Sequence, residues 1–87
     1  MAKIYTVNGS NVNLRSGPGT SFSSGGLLQK GDEVENIPIP EKNENNEYNE
    51  NAGKLSVSAE GYVWYYVHVL SGGNKGNNGY VASGYLT

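Results

Sequence analysis

Residues 62–70, Tyr-Val-Trp-Tyr-Tyr-Val-His-Val-Leu, constrain this chain more than any other stretch. Aromatic and β-branched residues suit a pleated surface, and the run has the length of a strand rather than the roughly 20 residues of a membrane span. A strand turns alternate side chains to opposite sides. Val63, Tyr65, Val67 and Val69 are therefore expected on one face, and Trp64, Tyr66 and His68 on the other. Everything else reads as shorter strands cut apart by turns. Tyr5-Thr6-Val7 alternates, Asn8-Gly9-Ser10-Asn11 is a turn cluster, and Val12-Asn13-Leu14-Arg15 alternates again, with Val12 and Leu14 inward and Asn13 and Arg15 outward.

Ser16-Gly17-Pro18-Gly19-Thr20 breaks regular structure, because its glycines reach angles closed to other residues and Pro18 lacks a donor. Phe22 stands alone in a loop of small residues and is expected to plug the core from there; Tyr65 and Tyr85 are also assigned to the core. Val34, Ile37 and Ile39 suggest a strand with a bulge or an early end, and Pro38 and Pro40 forbid a central strand beyond it. Residues 41–53, mostly Asn and Glu, have almost nothing to bury and read as a mobile surface loop. An alternating run at residues 54–58 begins a short extra strand. A Gly/Asn-rich hairpin loop at 71–79 leads to a last strand at Tyr80-Val81-Ala82. Short strands joined by glycine-rich turns indicate an all-β barrel or sandwich, a single domain over residues 1–87.

Composition removes several functions. A net charge of −2 argues against a nucleic-acid partner, which needs a basic face. No cysteine means no disulfide and no thiolate metal site. Catalysis lacks parts: the single histidine, His68, shares its face with Trp64 and Tyr66 and no carboxylate, so it reads as a strand histidine or a ligand contact. Ser16-Gly17-Pro18-Gly19 lacks the helix and the Lys-Ser/Thr ending of a phosphate loop, and residues 41–50 lack the Asp spacing of a calcium loop. No cofactor and no metal are expected. Met1-Ala2-Lys3 runs straight into a strand with no leader peptide, so the chain either stays in the cytoplasm of its producer or, the favoured reading, is a piece excised from a longer protein; a monomer is expected.

Val12-Asn13-Leu14-Arg15-Ser16-Gly17-Pro18-Gly19-Thr20 resembles the opening signature of the bacterial SH3 (SH3b) family. Further blocks come in the family's order. Residues 26–34 resemble its Gly-x-Leu-x-x-Gly-Asp-x-Val segment, Trp64-Tyr65-Tyr66-Val67 its Trp-Tyr-Lys-Val strand, and Gly79-Tyr80-Val81 with Ser83-Gly84-Tyr85-Leu86 its closing pieces. The chain departs from the pattern in a longer, acidic loop before Trp64 and in a tyrosine at position 66. The resemblance implies a small SH3-like, partly open barrel of about five to seven short strands. It also implies a non-catalytic module of a secreted bacterial protein or phage lysin, outside the cell or in its wall, that binds a peptidoglycan stem or cross-bridge peptide. The alternative is a domain that docks on a neighbouring catalytic domain of its own chain and shapes that domain's cleft. Trp64, Tyr66 and Tyr80, beside Asn13 and Arg15 and with His68 near, are the expected ligand contacts. Aromatic rings offer apolar area at low entropy cost, and Arg15 can pair with a peptide carboxylate.

Overall fold

A computed structural model describes residues 2–43 and 45–87. Seven antiparallel strands form it: β1 (Ile4–Thr6), β2 (Val12–Arg15), β3 (Ser24–Leu28), β4 (Glu33–Asn36), β5 (Ser56–Ala59), β6 (Tyr62–Val69) and β7 (Asn78–Ala82), with a 3-10 turn at Ser83–Tyr85 after the last. They make one open sheet in the order β1-β4-β6-β7-β2-β3, with β5 also on β6, an arrangement compatible with a partly open SH3-like barrel. Among the described residues no helix is long and apolar enough to cross a membrane.

The long strand read from residues 62–70 is the centre of this sheet. Along one edge β6 pairs first with β5 and then with β4; along the other it pairs with β7. β5 and β6 join through Glu60 and Gly61, at φ of 58° and 79°. Positive φ at both turn residues is the hairpin geometry that matches the right-handed twist of the strands. β2 meets β7 through the pair Arg15↔Tyr80, and the approach is close: a Cβ on Gly79 would lie 2.7 Å from Leu14 Cγ and 2.9 Å from the Arg15 carbonyl oxygen. After the 3-10 turn the chain returns to β1, where Thr6 and Thr87 exchange backbone hydrogen bonds of 2.9 Å.

Both faces of β6 are covered. Val67 and Val69 point into the main core with Val7, Val12, Leu14, Leu28, Val34 and Val81, and Tyr65 packs at its margin. On the reverse face Trp64 and Tyr80 join Ile39 in a second small core, flanked by Val57, Ala59, Tyr66 and Ala82. The inward positions of Val12 and Leu14 are as the alternation requires. Val63 departs from it at 40 % exposure, because the first residues of β6 extend beyond the end of β4 and are flanked there by β5.

Two core assignments are corrected. Phe22 is 44 % exposed and Tyr85 49 %. Arg15 Nη1 donates to the carbonyl oxygens of Thr20 and Phe22 at 3.0 and 2.9 Å, which folds the loop back on itself and leaves the Phe22 ring over Gly17 rather than in the core. Tyr85 lies on the 3-10 turn, its ring against Gly9.

β4 ends at Asn36, and this residue anchors the segment beyond it. Its buried amide donates to the carbonyl oxygens of Leu55 and Tyr66, both at 2.9 Å, so this buried polar side chain is satisfied. From here the chain leaves the sheet as a narrow arm. Its base is held by Ile39 N–H to Lys54 O and by Gly53 N–H to Ile39 O, and farther out Lys42 pairs with Tyr48. Deleting residues 42–52 should leave a cooperatively folded domain, because Ile39 and both base hydrogen bonds lie outside the cut. Thermal melting should show a loss of only about a few degrees, with the near-ultraviolet circular dichroism of Trp64 retained. Loss of the cooperative transition would mean that the fold depends on the outer arm and not only on its base.

Candidate functional site

Arg15, on the outward face of β2, stands between two grooves. The first runs beside residues 10–15, the 3-10 turn and the start of β6, and encloses about 170 Å³. Asn13, Arg15, Thr20, Tyr62, Trp64 and Tyr85 line it. Trp64 is its floor rather than its wall: the indole is 3 % exposed and its N–H already donates to the Ala59 carbonyl oxygen at 3.1 Å. The indole expected to face outward as a ligand contact is instead sealed, because the Ile39 side covers the reverse face of β6. The rings with surface to offer are Tyr62, 56 % exposed and edge-on to Trp64 at 6.1 Å between centroids, and Tyr85. Alternation could have found Tyr62, which shares the face of Trp64 two residues on. Tyr85 had no such signal, since its place depends on the 3-10 turn.

One end of this groove is clasped from across the sheet. Glu60, in the β5–β6 turn, accepts from the Thr20 backbone N–H at 3.0 Å and the Thr20 hydroxyl at 2.9 Å. These bonds, the backbone one foremost, hold the Glu60 carboxyl below its ordinary value of 4.5; the Arg15 charge helps and partial desolvation opposes. A Cβ at Gly19 would crowd the clasp, lying 2.6 Å from Glu60 Oε2, so a side chain there would push the carboxylate aside. A depressed folded-state pKa adds stability that is present above the ordinary carboxylate range and is lost as pH falls through the depressed value. The melting temperature of the protein is therefore expected to drop more between about pH 6 and about pH 3 than that of Glu60→Gln, which carries no titrating group at the clasp. Equal drops would show that the clasp carries none of the acid sensitivity.

The second groove lies on the other side of Arg15 and encloses about 380 Å³. Tyr66 and Tyr80 line it in an edge-to-face pair with centroids 4.9 Å apart, and the arm supplies Lys42, Asn43 and Asn49. Tyr80 is 6 % exposed; burial first, and then the neighbouring Tyr66, push its phenol pKa up. The six expected contacts are therefore divided: Asn13 and Trp64 in the first groove, Tyr66 and Tyr80 in the second, Arg15 in both. His68 lines neither. It sits opposite Glu35 of β4, and its Nδ1 is 2.6 Å from Asn78 Oδ1. Among the described residues no three His, Cys, Asp or Glu side chains gather as metal ligands.

Residues 10–87 match the family described as bacterial SH3 domain. This chain belongs to the bacterial SH3 domain family. Neither a curated protein nor a solved structure matches it. The matched region of this bacterial SH3 domain begins at Ser10, so it takes in every residue of both grooves and leaves out β1. Bacterial SH3 domains are in general non-catalytic binding modules, often of proteins that act at the cell wall. Two grooves lined by rings, amides and a fixed guanidinium fit that role.

Proposed function

We propose that this bacterial SH3 domain binds peptidoglycan peptides and so holds a larger secreted protein, a wall hydrolase or a surface protein, onto the bacterial cell wall. The observation that carries the reading is the first groove, where two exposed tyrosines flank a buried indole next to Asn13 and Arg15. An extended stem or cross-bridge peptide lies along it. Tyr62 and Tyr85 pack on its backbone, Trp64 supports them from below, and the Asn13 amide and Arg15 guanidinium set its direction. At about 170 Å³ the groove suits a strand of small residues rather than a bulky chain. One module of this size binds weakly, at about micromolar or above, and gains retention when several copies engage one polymer.

Sedimentation with purified peptidoglycan tests this reading. The domain should co-sediment with intact wall and be lost from wall whose peptides have been stripped by an amidase. Equal retention on the stripped glycan, or none on either, would overturn it.

A further inference from the structure

We propose that the second groove is a separate site for the free C-terminal carboxylate of a short peptide, built by the arm that this chain inserts between β4 and β5. The inference concerns a different groove from the one above and does not require that one to take wall peptides.

Charge is the first argument. The chain carries a net −2, yet the charged side chains lining this groove are two cations, Arg15 from β2 and Lys42 from the arm, with no carboxylate among the described lining residues. The guanidinium is fixed before any ligand arrives, and the ammonium rests near an aromatic ring. The Nη1 bonds to Thr20 and Phe22 orient the guanidinium. The Lys42 ammonium stands 5.0 Å from the ring centroid of Tyr48, its partner across the arm. Positioned cations meet an anion without the usual cost of ordering long side chains, and a guanidinium matches a carboxylate by its paired donors.

Hydrogen-bonding capacity is the second. Within the arm Asn43 uses its oxygen, which accepts from the Asn45 and Glu47 backbone at 2.9 and 3.0 Å, whereas Asn49 uses its nitrogen, which donates to Pro40 O at 2.9 Å. Among the described residues no hydrogen bond takes up the Asn43 amide nitrogen or the Asn49 amide oxygen, which leaves one donor and one acceptor on side chains that line the groove. A peptide unit, with its own N–H and C=O, is complementary to that pair. A carboxylate one residue farther along then meets the cations. About 380 Å³ admits roughly two or three small residues, not a folded partner. Tyr48, 78 % exposed, acts in this scheme as a positioning residue for Lys42.

Amide-resolved NMR titration of the full chain with acetyl-Ala-Ala, as the free acid and as the C-terminal amide, decides the matter. The free acid should perturb the signals of Lys42, Asn43, Asn49 and Gly79. The amide should bind at least about tenfold more weakly, and Lys42→Gln should weaken the free acid about fivefold or more. Lys30→Gln, outside both grooves, should change nothing. Tyr62→Ala, which disables the first groove, should leave these perturbations in place, so failure of the wall-binding reading and failure of this one give different results. Equal binding of acid and amide, perturbations confined to Tyr62 and Tyr85, no perturbation at all, or the same perturbations from glucuronate at equal concentration would each overturn the assignment.

Discussion

Trp64→Ala is expected to remove about 3–5 kcal/mol of folding stability, the usual loss for a large aromatic side chain cut from a packed site. The indole is 3 % exposed, packs with Ile39 and Tyr80, and donates to Ala59 O, so the substitution opens a cavity and leaves a carbonyl without its partner. A chain of 87 residues has a total stability of only about 4–13 kcal/mol, so the variant should lose a large share of it and, at the low end of that range, stand close to its unfolding midpoint. Urea denaturation monitored by far-ultraviolet circular dichroism measures this without relying on the missing fluorophore. Trp64→Phe, which retains most of the ring volume, should lose much less. A loss below about 1 kcal/mol for the alanine variant would mean that the second core contributes little to stability.

Tyr62→Ala combined with Tyr85→Ala is expected to do the opposite: little to stability and much to binding. Both rings are about half exposed and neither belongs to a core cluster, so melting should shift by only about a few degrees. Tyrosine rings that become covered on binding are frequent hot spots of recognition, and losing two should reduce retention on peptidoglycan at least about tenfold. Co-sedimentation across a range of wall concentrations reads this. Unchanged retention in a well-folded double variant would remove the first groove from the binding account. The contrast matters for any test of this domain. Trp64 and Tyr80, the rings that stand out in the sequence, belong to the packed second core, and replacing them confounds unfolding with lost contact.

The strand pattern and the family were legible because they rest on local chemistry. Period-two alternation placed Val12, Leu14, Val67 and Val69 in the main core, and Asn/Gly clusters marked the turns that separate β1 from β2 and β6 from β7. The run Val12-Asn13-Leu14-Arg15-Ser16-Gly17-Pro18-Gly19-Thr20 carried the family resemblance. Alternation also put Trp64 and Tyr66 on the face away from the main core, and the structure agrees. It did not reveal the cover over that face.

Covering is decided by segments far apart in the chain. Ile39, beyond a strand end and between two prolines, turns under the indole; Asn36 ties the base of the arm to Leu55 and Tyr66; the 3-10 turn carries Tyr85 outward to the rim of a groove. Glu60 reaches Thr20 across forty residues of sequence. Local patterning dictates which residues become strands and which of their faces are apolar, since both arise from the geometry of a pleated backbone. Whether an apolar face meets solvent, a ligand or another part of the chain depends on where the non-local segments come to rest, and only the assembled sheet settles that.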